Sequence, residues 1–182
     1  MRRRARGLGF GFAGLSAATF ALIVLGALVR AHGAGLACPD WPLCFGRLVP
    51  AFDVRVAFEW GHRVLAGGVA LGLSGLTAVL WRRTELRRTM ARVLALAWLL
   101  LAVQVLLGGL TVILLLAPWT VTAHLLAGTS FCALLVWIAR DLLEWGRELP
   151  RAAVPRRILV WSALTTGALL LQLVLGGMVS SQ

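Results

Sequence analysis

Five apolar stretches, each near the length that crosses a bilayer, limit what this chain can fold into more than any other feature. They lie at about 8–29, 64–81, 93–116, 121–139 and 158–179. A span needs about 20 mostly apolar residues, and the second and fourth stretches are short but within range. Backbone groups find no water in the hydrocarbon core, so these stretches must be helical. Only 14% of the residues are charged, against about 25% in a soluble domain. Ala117-Pro118-Trp119-Thr120 alone part the third stretch from the fourth. Proline lacks a backbone donor and commonly follows a helix end, so these four residues read as the tight turn of an antiparallel hairpin. The expectation is an all-α polytopic membrane protein. It is one transmembrane domain over 1–182, with a four-helix bundle of two helical hairpins plus a fifth transmembrane helix.

The net charge of +11 suggests nucleic acid at first sight, but its distribution excludes that. All basic residues are arginines, and they cluster between the apolar stretches. Arg2, Arg3, Arg4 and Arg6 precede the first; Arg82, Arg83, Arg87, Arg88 and Arg92 separate the second from the third; Arg140, Arg147, Arg151, Arg156 and Arg157 separate the fourth from the fifth. The opposite side holds Arg30, Arg47, Arg55 and Arg63. This asymmetry is the positive-inside pattern, and it sets the N-terminus in the cytoplasm of a bacterial inner-membrane protein. The remaining basic attraction is for membrane lipid head groups. The first stretch has the basic start of a signal peptide. Its length and the lack of a small-x-small cleavage site favour a retained helix.

One long outer loop runs from about 31 to 58 and is rich in Gly and Pro, hence turns. The helices also repeat weakly. Val24-Leu25-Gly26-Ala27-Leu28-Val29, Leu106-Leu107-Gly108-Gly109-Leu110-Thr111 and Leu173-Val174-Leu175-Gly176-Gly177-Met178 share a small-residue core. His62 opens the second helix and His124 the fourth. A unit of small-residue helix followed by His-headed helix therefore occurs twice, and the fifth helix resembles the start of a third. Small residues let lipid-embedded helices approach closely. Gly-rich apolar helices also resemble one another by chance; the matched histidines argue for a true repeat.

Two neutral imidazoles at one depth on facing bundle helices can ligate a haem iron from both sides. Interfacial histidines in contact with water or head groups are the alternative. Glu59 shares a helix face with His62 if the second helix has begun by Phe58. It could then move a proton, orient a substrate or stabilise a cation, or simply complement the helix dipole. Arg63 could pair with Glu59 or with a haem propionate, or snorkel to the interface. Cys38 and Cys44 flank Pro39-Asp40-Trp41-Pro42-Leu43 in the outer loop. They suit a disulfide, or a metal site helped by His32 and Asp40. Cys132 reads as a small packing residue. Trp81, Trp119 and Trp145 fit the interfacial aromatic belt.

The loop Gly33-Ala34-Gly35-Leu36-Ala37-Cys38-Pro39-Asp40-Trp41-Pro42-Leu43-Cys44-Phe45-Gly46 closely resembles that of the haem A synthase family. So do Glu59-Trp60-Gly61-His62-Arg63-Val64-Leu65-Ala66-Gly67, Gln104-Val105-Leu106-Leu107-Gly108-Gly109-Leu110-Thr111-Val112 and Val121-Thr122-Ala123-His124-Leu125. The resemblance implies an oxidoreductase that converts a methyl group of haem O to the formyl of haem A, for a-type terminal oxidases. The expected cofactor is a bis-His-ligated haem, haem b or haem O. His62 and His124 would be the ligands, Glu59 the catalytic acid, and Cys38 and Cys44 a loop pair able to form a disulfide. A non-catalytic bis-His haem-handling protein is the alternative. Haem O synthase and an electron donor are the expected partners. Members of the family usually carry eight helices in two halves, so this sequence resembles a half-length form. It would work as a homodimer or with a missing second half beyond Gln182. His32 stands where the family more often has a small polar residue.

Overall fold

The computed structural model describes residues 2–51, 53–147 and 154–180. Arg151 and Gln182 lie outside them. Five helices follow one another: α1 (Arg2–Ala31), α2 (Val54–Trp81), α3 (Thr84–Ile113), α4 (Pro118–Leu143) and α5 (Arg156–Ser180). All five are long and apolar enough to cross a membrane, and the protein is an all-α polytopic membrane protein.

The helices outrun their apolar stretches. α2 begins at Val54 rather than near residue 64, and α3 at Thr84 rather than near 93. The apolar run marks only the part that crosses hydrocarbon. Beyond it, Arg, Glu and Met are good helix formers and keep the backbone hydrogen-bonded through the interface. The long loop accordingly shortens to residues 32–53. Asp53 caps α2, its side chain accepting the Val56 N–H at 2.9 Å, as Asp does at an N-cap.

The α3–α4 turn corrects the expected end near residue 116. α3 stops at Ile113, and Leu115 and Leu116 adopt φ of 50° and 61°. This left-handed region disfavours side chains. The turn closes its own polar groups: Leu116 N–H donates to Thr111 O at 2.7 Å and Ala117 N–H to Leu114 O at 3.1 Å. Pro118 then opens α4, where its missing donor costs nothing.

α1 packs against both α2 and α4, and α3 packs against α4 and more lightly against α2. α2 and α4 are therefore the diagonal pair of a four-helix arrangement. α5 lies against α4. The dry core fills the arginine-rich half of the bundle. Phe12, Leu73, Leu94, Leu135 and Ile138 meet there, and Trp145 packs on its edge rather than standing free in the interface. Trp81 and Trp119 are exposed at helix ends. Toward the loop-bearing end the core gives way to partly buried small and polar residues.

Candidate functional site

His62 is the ninth residue of α2 and His124 the seventh of α4. At 1.5 Å per residue they lie about 12 Å and about 9 Å along their helices. They sit inside the bundle at similar depth instead of heading their helices. Each ring abuts a glycine of the preceding helix. A Cβ on Gly26 would stand 3.1 Å from His62 Cε1, and one on Gly108 would stand 3.3 Å from His124 Cε1. The repeat seen in the sequence is thus a repeat of contacts: glycine on the first helix of each hairpin, imidazole on the second.

Nδ1 of His62 and Nδ1 of His124 are buried and have no hydrogen-bond partner. Buried polar atoms are normally partnered, so the two orphaned nitrogens point to a ligand. They project from diagonal helices, above the end of the packed core, beside glycines that leave room. Two ring nitrogens so placed suit a haem iron, whose porphyrin supplies the remaining ligands. A purely protein-held ion does not suit, since no group of three or more His, Cys, Asp or Glu gathers among the described residues.

Glu59 is 5% exposed, and both its oxygens are engaged. Oε1 accepts from Arg63 Nη2 at 2.5 Å, and Oε2 from the Cys38 N–H at 3.1 Å. Arg63 reaches further into the loop. Nη1 donates to Asp40 O at 2.7 Å and to Leu43 O, and Nη2 to Cys38 O at 3.3 Å. The pair therefore clamps the loop onto α2, one residue from His62. Both terminal nitrogens of Arg63 are thereby engaged with protein groups.

Cys38 and Cys44 are bonded to each other and are buried with Val56. The metal alternative for this loop falls away. Asp40 accepts the N–H groups of Phe45 at 2.6 Å and Gly46 at 2.7 Å. His32 stacks on Phe58 at 4.4 Å and bonds Leu28 O through Nδ1 at 2.8 Å. The Asp40 carboxyl is held below its ordinary value of 3.8, chiefly by the Gly46 N–H; partial desolvation opposes this, and the Phe45 N–H and Arg63 add to it. Cys132 Sγ lies 3.6 Å from Ser16 O, between α4 and α1.

The loop also reaches the other half of the site. The Trp41 ring lies on α3, where a Cβ on Gly109 would come within 3.2 Å of it. Leu116 packs over Gly35, where an added Cβ would stand 3.1 Å from its side chain. One small loop thus touches α2 beside His62 and α3 beside the glycine that faces His124. Leu116 carried no site signal in the sequence, and Trp41 carried one only as part of the loop that bears the family resemblance. Their role follows from the docking of the loop.

The chain matches the family model COX15-CtaA, described as cytochrome oxidase assembly protein, over residues 12–57 and 51–182. A protein named protoheme IX farnesyltransferase from Halobacterium salinarum is 35% identical over 73% of this chain and 30% of its own length. A haem A synthase from Symbiobacterium thermophilum is 35% identical over 74% of this chain and 44% of its own. One from Shewanella oneidensis is 32% identical over 90% of this chain and 54% of its own. The chain spans about half the length, or less, of these curated relatives. No solved structure matches it.

Proposed function

The chain belongs to the COX15-CtaA family of cytochrome oxidase assembly proteins, and on that premise we propose that it serves haem A biosynthesis as a haem A synthase-like oxidoreductase. The reaction is oxidation of a methyl group of haem O to the formyl of haem A. The observation that carries this reading is the pair of buried, unpartnered imidazole nitrogens on diagonal helices. Relatives named haem A synthase supply the activity.

His62 and His124 would hold a haem, which would supply the redox chemistry. The chain's own residues bind and shield it. Gly26 and Gly108 seat the ligand rings, and the loop closed by Cys38–Cys44 caps the site. Glu59 and Arg63 fix that cap, with the Glu59 carboxylate one turn from His62. The relative named protoheme IX farnesyltransferase points to haem farnesylation as the step that supplies the substrate. The arginine-rich end faces the cytoplasm and the loop the outer side, by the positive-inside pattern.

A second reading, a bis-His protein that handles haem without oxidising it, has one observation in its favour. Both oxygens of Glu59 are occupied, by Arg63 and by the Cys38 N–H. Co-expression with a haem O source and analysis of extracted haems separates the two. Haem A from the wild type, absent for His62→Ala and His124→Ala, is the expected outcome. Folded, haem-loaded protein that yields no haem A overturns catalysis in favour of the second reading.

A further inference from the structure

Gln104 has no part in the reading above, and it is a polar side chain among apolar residues in the last third of α3. Its Nε2 donates to the backbone oxygen of His124 at 2.8 Å. A helical carbonyl already serves the helix's own ladder, but its oxygen has a second lone pair, which Gln104 takes. Gly128 makes this approach possible, since a Cβ there would lie 3.0 Å from Gln104 Nε2. Gln104 and Gly108 are four apart on α3, and His124 and Gly128 are four apart on α4, so each pair shares a helix face. Gln104 meets the Gly128 turn and bonds the His124 backbone, while Gly108 seats the His124 ring. One face of α3 grips the turn that carries this histidine from both sides.

The first hairpin is not built this way. Leu22 stands four residues before Gly26, as Gln104 stands four before Gly108, and Ala66 stands four after His62. Each imidazole also bonds the backbone of the matched residue, Leu22 or Gln104, but leucine has no side-chain donor. The two hairpins therefore share the glycine and backbone contacts and differ in the one side-chain bond that Gln104 adds.

We propose that Gln104 is a positioning residue that fixes the orientation of the His124 imidazole toward the haem, and so makes the two axial ligands inequivalent. The inference rests on the reading that His124 ligates haem. It acts through the α4 backbone: the amide bond and the glycine contact prevent the His124 turn from rotating about the helix axis. Loss of the bond lets the ring reorient without removing it.

The test uses the full chain purified with haem, read by low-spin electron paramagnetic resonance and by haem release to an excess of apomyoglobin. Gln104→Leu should shift the low-spin signal and speed release roughly three- to tenfold, the range for losing one neutral hydrogen bond. Gly128→Ala should give the same signature, because its methyl displaces the Gln104 amide. It also serves if the leucine variant fails to fold. The double variant should add little to either single one, as residues acting through one contact do. Gly75→Ala, where a Cβ meets nothing within 4 Å, should match the wild type. An unchanged signal and release rate in Gln104→Leu overturns the proposal, and so do effects that sum in the double variant. His124→Ala separates the layers. If it retains a bis-His spectrum, the ligand assignment itself fails. If it loses the haem while Gln104→Leu is silent, only the role of Gln104 fails.

Discussion

Arg63 ties three loop carbonyls and one carboxylate to the helix that carries His62. Removing one partner of a buried pair leaves the other charge uncompensated. Arg63→Met should therefore destabilise the protein by on the order of 3 kcal/mol, seen as a lower midpoint of thermal unfolding in detergent. Glu59→Gln in the same chain should restore part of that loss, because no buried charge then stands alone. Asp40 gives the loop a pH dependence. Its folded value is depressed below 3.8, so its contribution is full above that value and is lost as pH falls through the lower, folded one. Protection factors of the Phe45 and Gly46 amides, taken relative to intrinsic exchange at each pH, should fall over that acid range in the wild type. In Asp40→Asn they should be lower throughout and flat with pH. At this scale the sequence was partly legible. Pairing with Glu59 was one of three roles open to Arg63, because the two residues share a helix face. The stack of His32 on Phe58 and the bond from Gln104 were not, since both depend on how separate helices are placed.

The two hairpins repeat one contact, a glycine against a histidine ring. Gly26→Val and Gly108→Val should each weaken haem binding, because the added side chain must occupy the space of the ring. Circular dichroism should show the helices intact, since a branched apolar residue is at home in a lipid-embedded helix. Gly67→Val, at a position where a Cβ meets nothing within 4 Å, should bind haem as the wild type does. The repeat could be read from the sequence because both glycines and both histidines keep their order. The ends of the helices could not. Hydropathy falls where Arg and Glu begin, while backbone hydrogen bonding continues through Val54 and Thr84. The early end of α3 was hidden for a different reason: Leu114, Leu115 and Leu116 are apolar, yet they form a turn with two left-handed residues.

On the scale of the molecule, the packed core and the histidines divide the bundle lengthwise. Phe12, Leu94 and Ile138 fill one half, and the paired imidazoles and the loop occupy the other. α5 joins through α4: a Cβ on Gly177 would meet Thr122 Oγ1 at 2.7 Å, two residues from His124. With arginines concentrated at one end, reporter fusions after Arg83 and after Arg147 should register as cytoplasmic, and fusions within residues 38–48 as outer. The reverse would invert the orientation without touching the site. The family and the number of spans were legible in order along the chain. The diagonal placement of α2 and α4 was not, because it is set by which helix faces pack rather than by any local pattern. That placement underlies the central claim, a haem held between His62 and His124. The most direct test is titration of the purified protein with haem, followed by optical absorption. Saturation is expected at one haem per chain with a low-spin bis-His spectrum, lost in both His62→Ala and His124→Ala. A wild-type protein that develops no Soret band, or either variant keeping the bis-His spectrum, would contradict it.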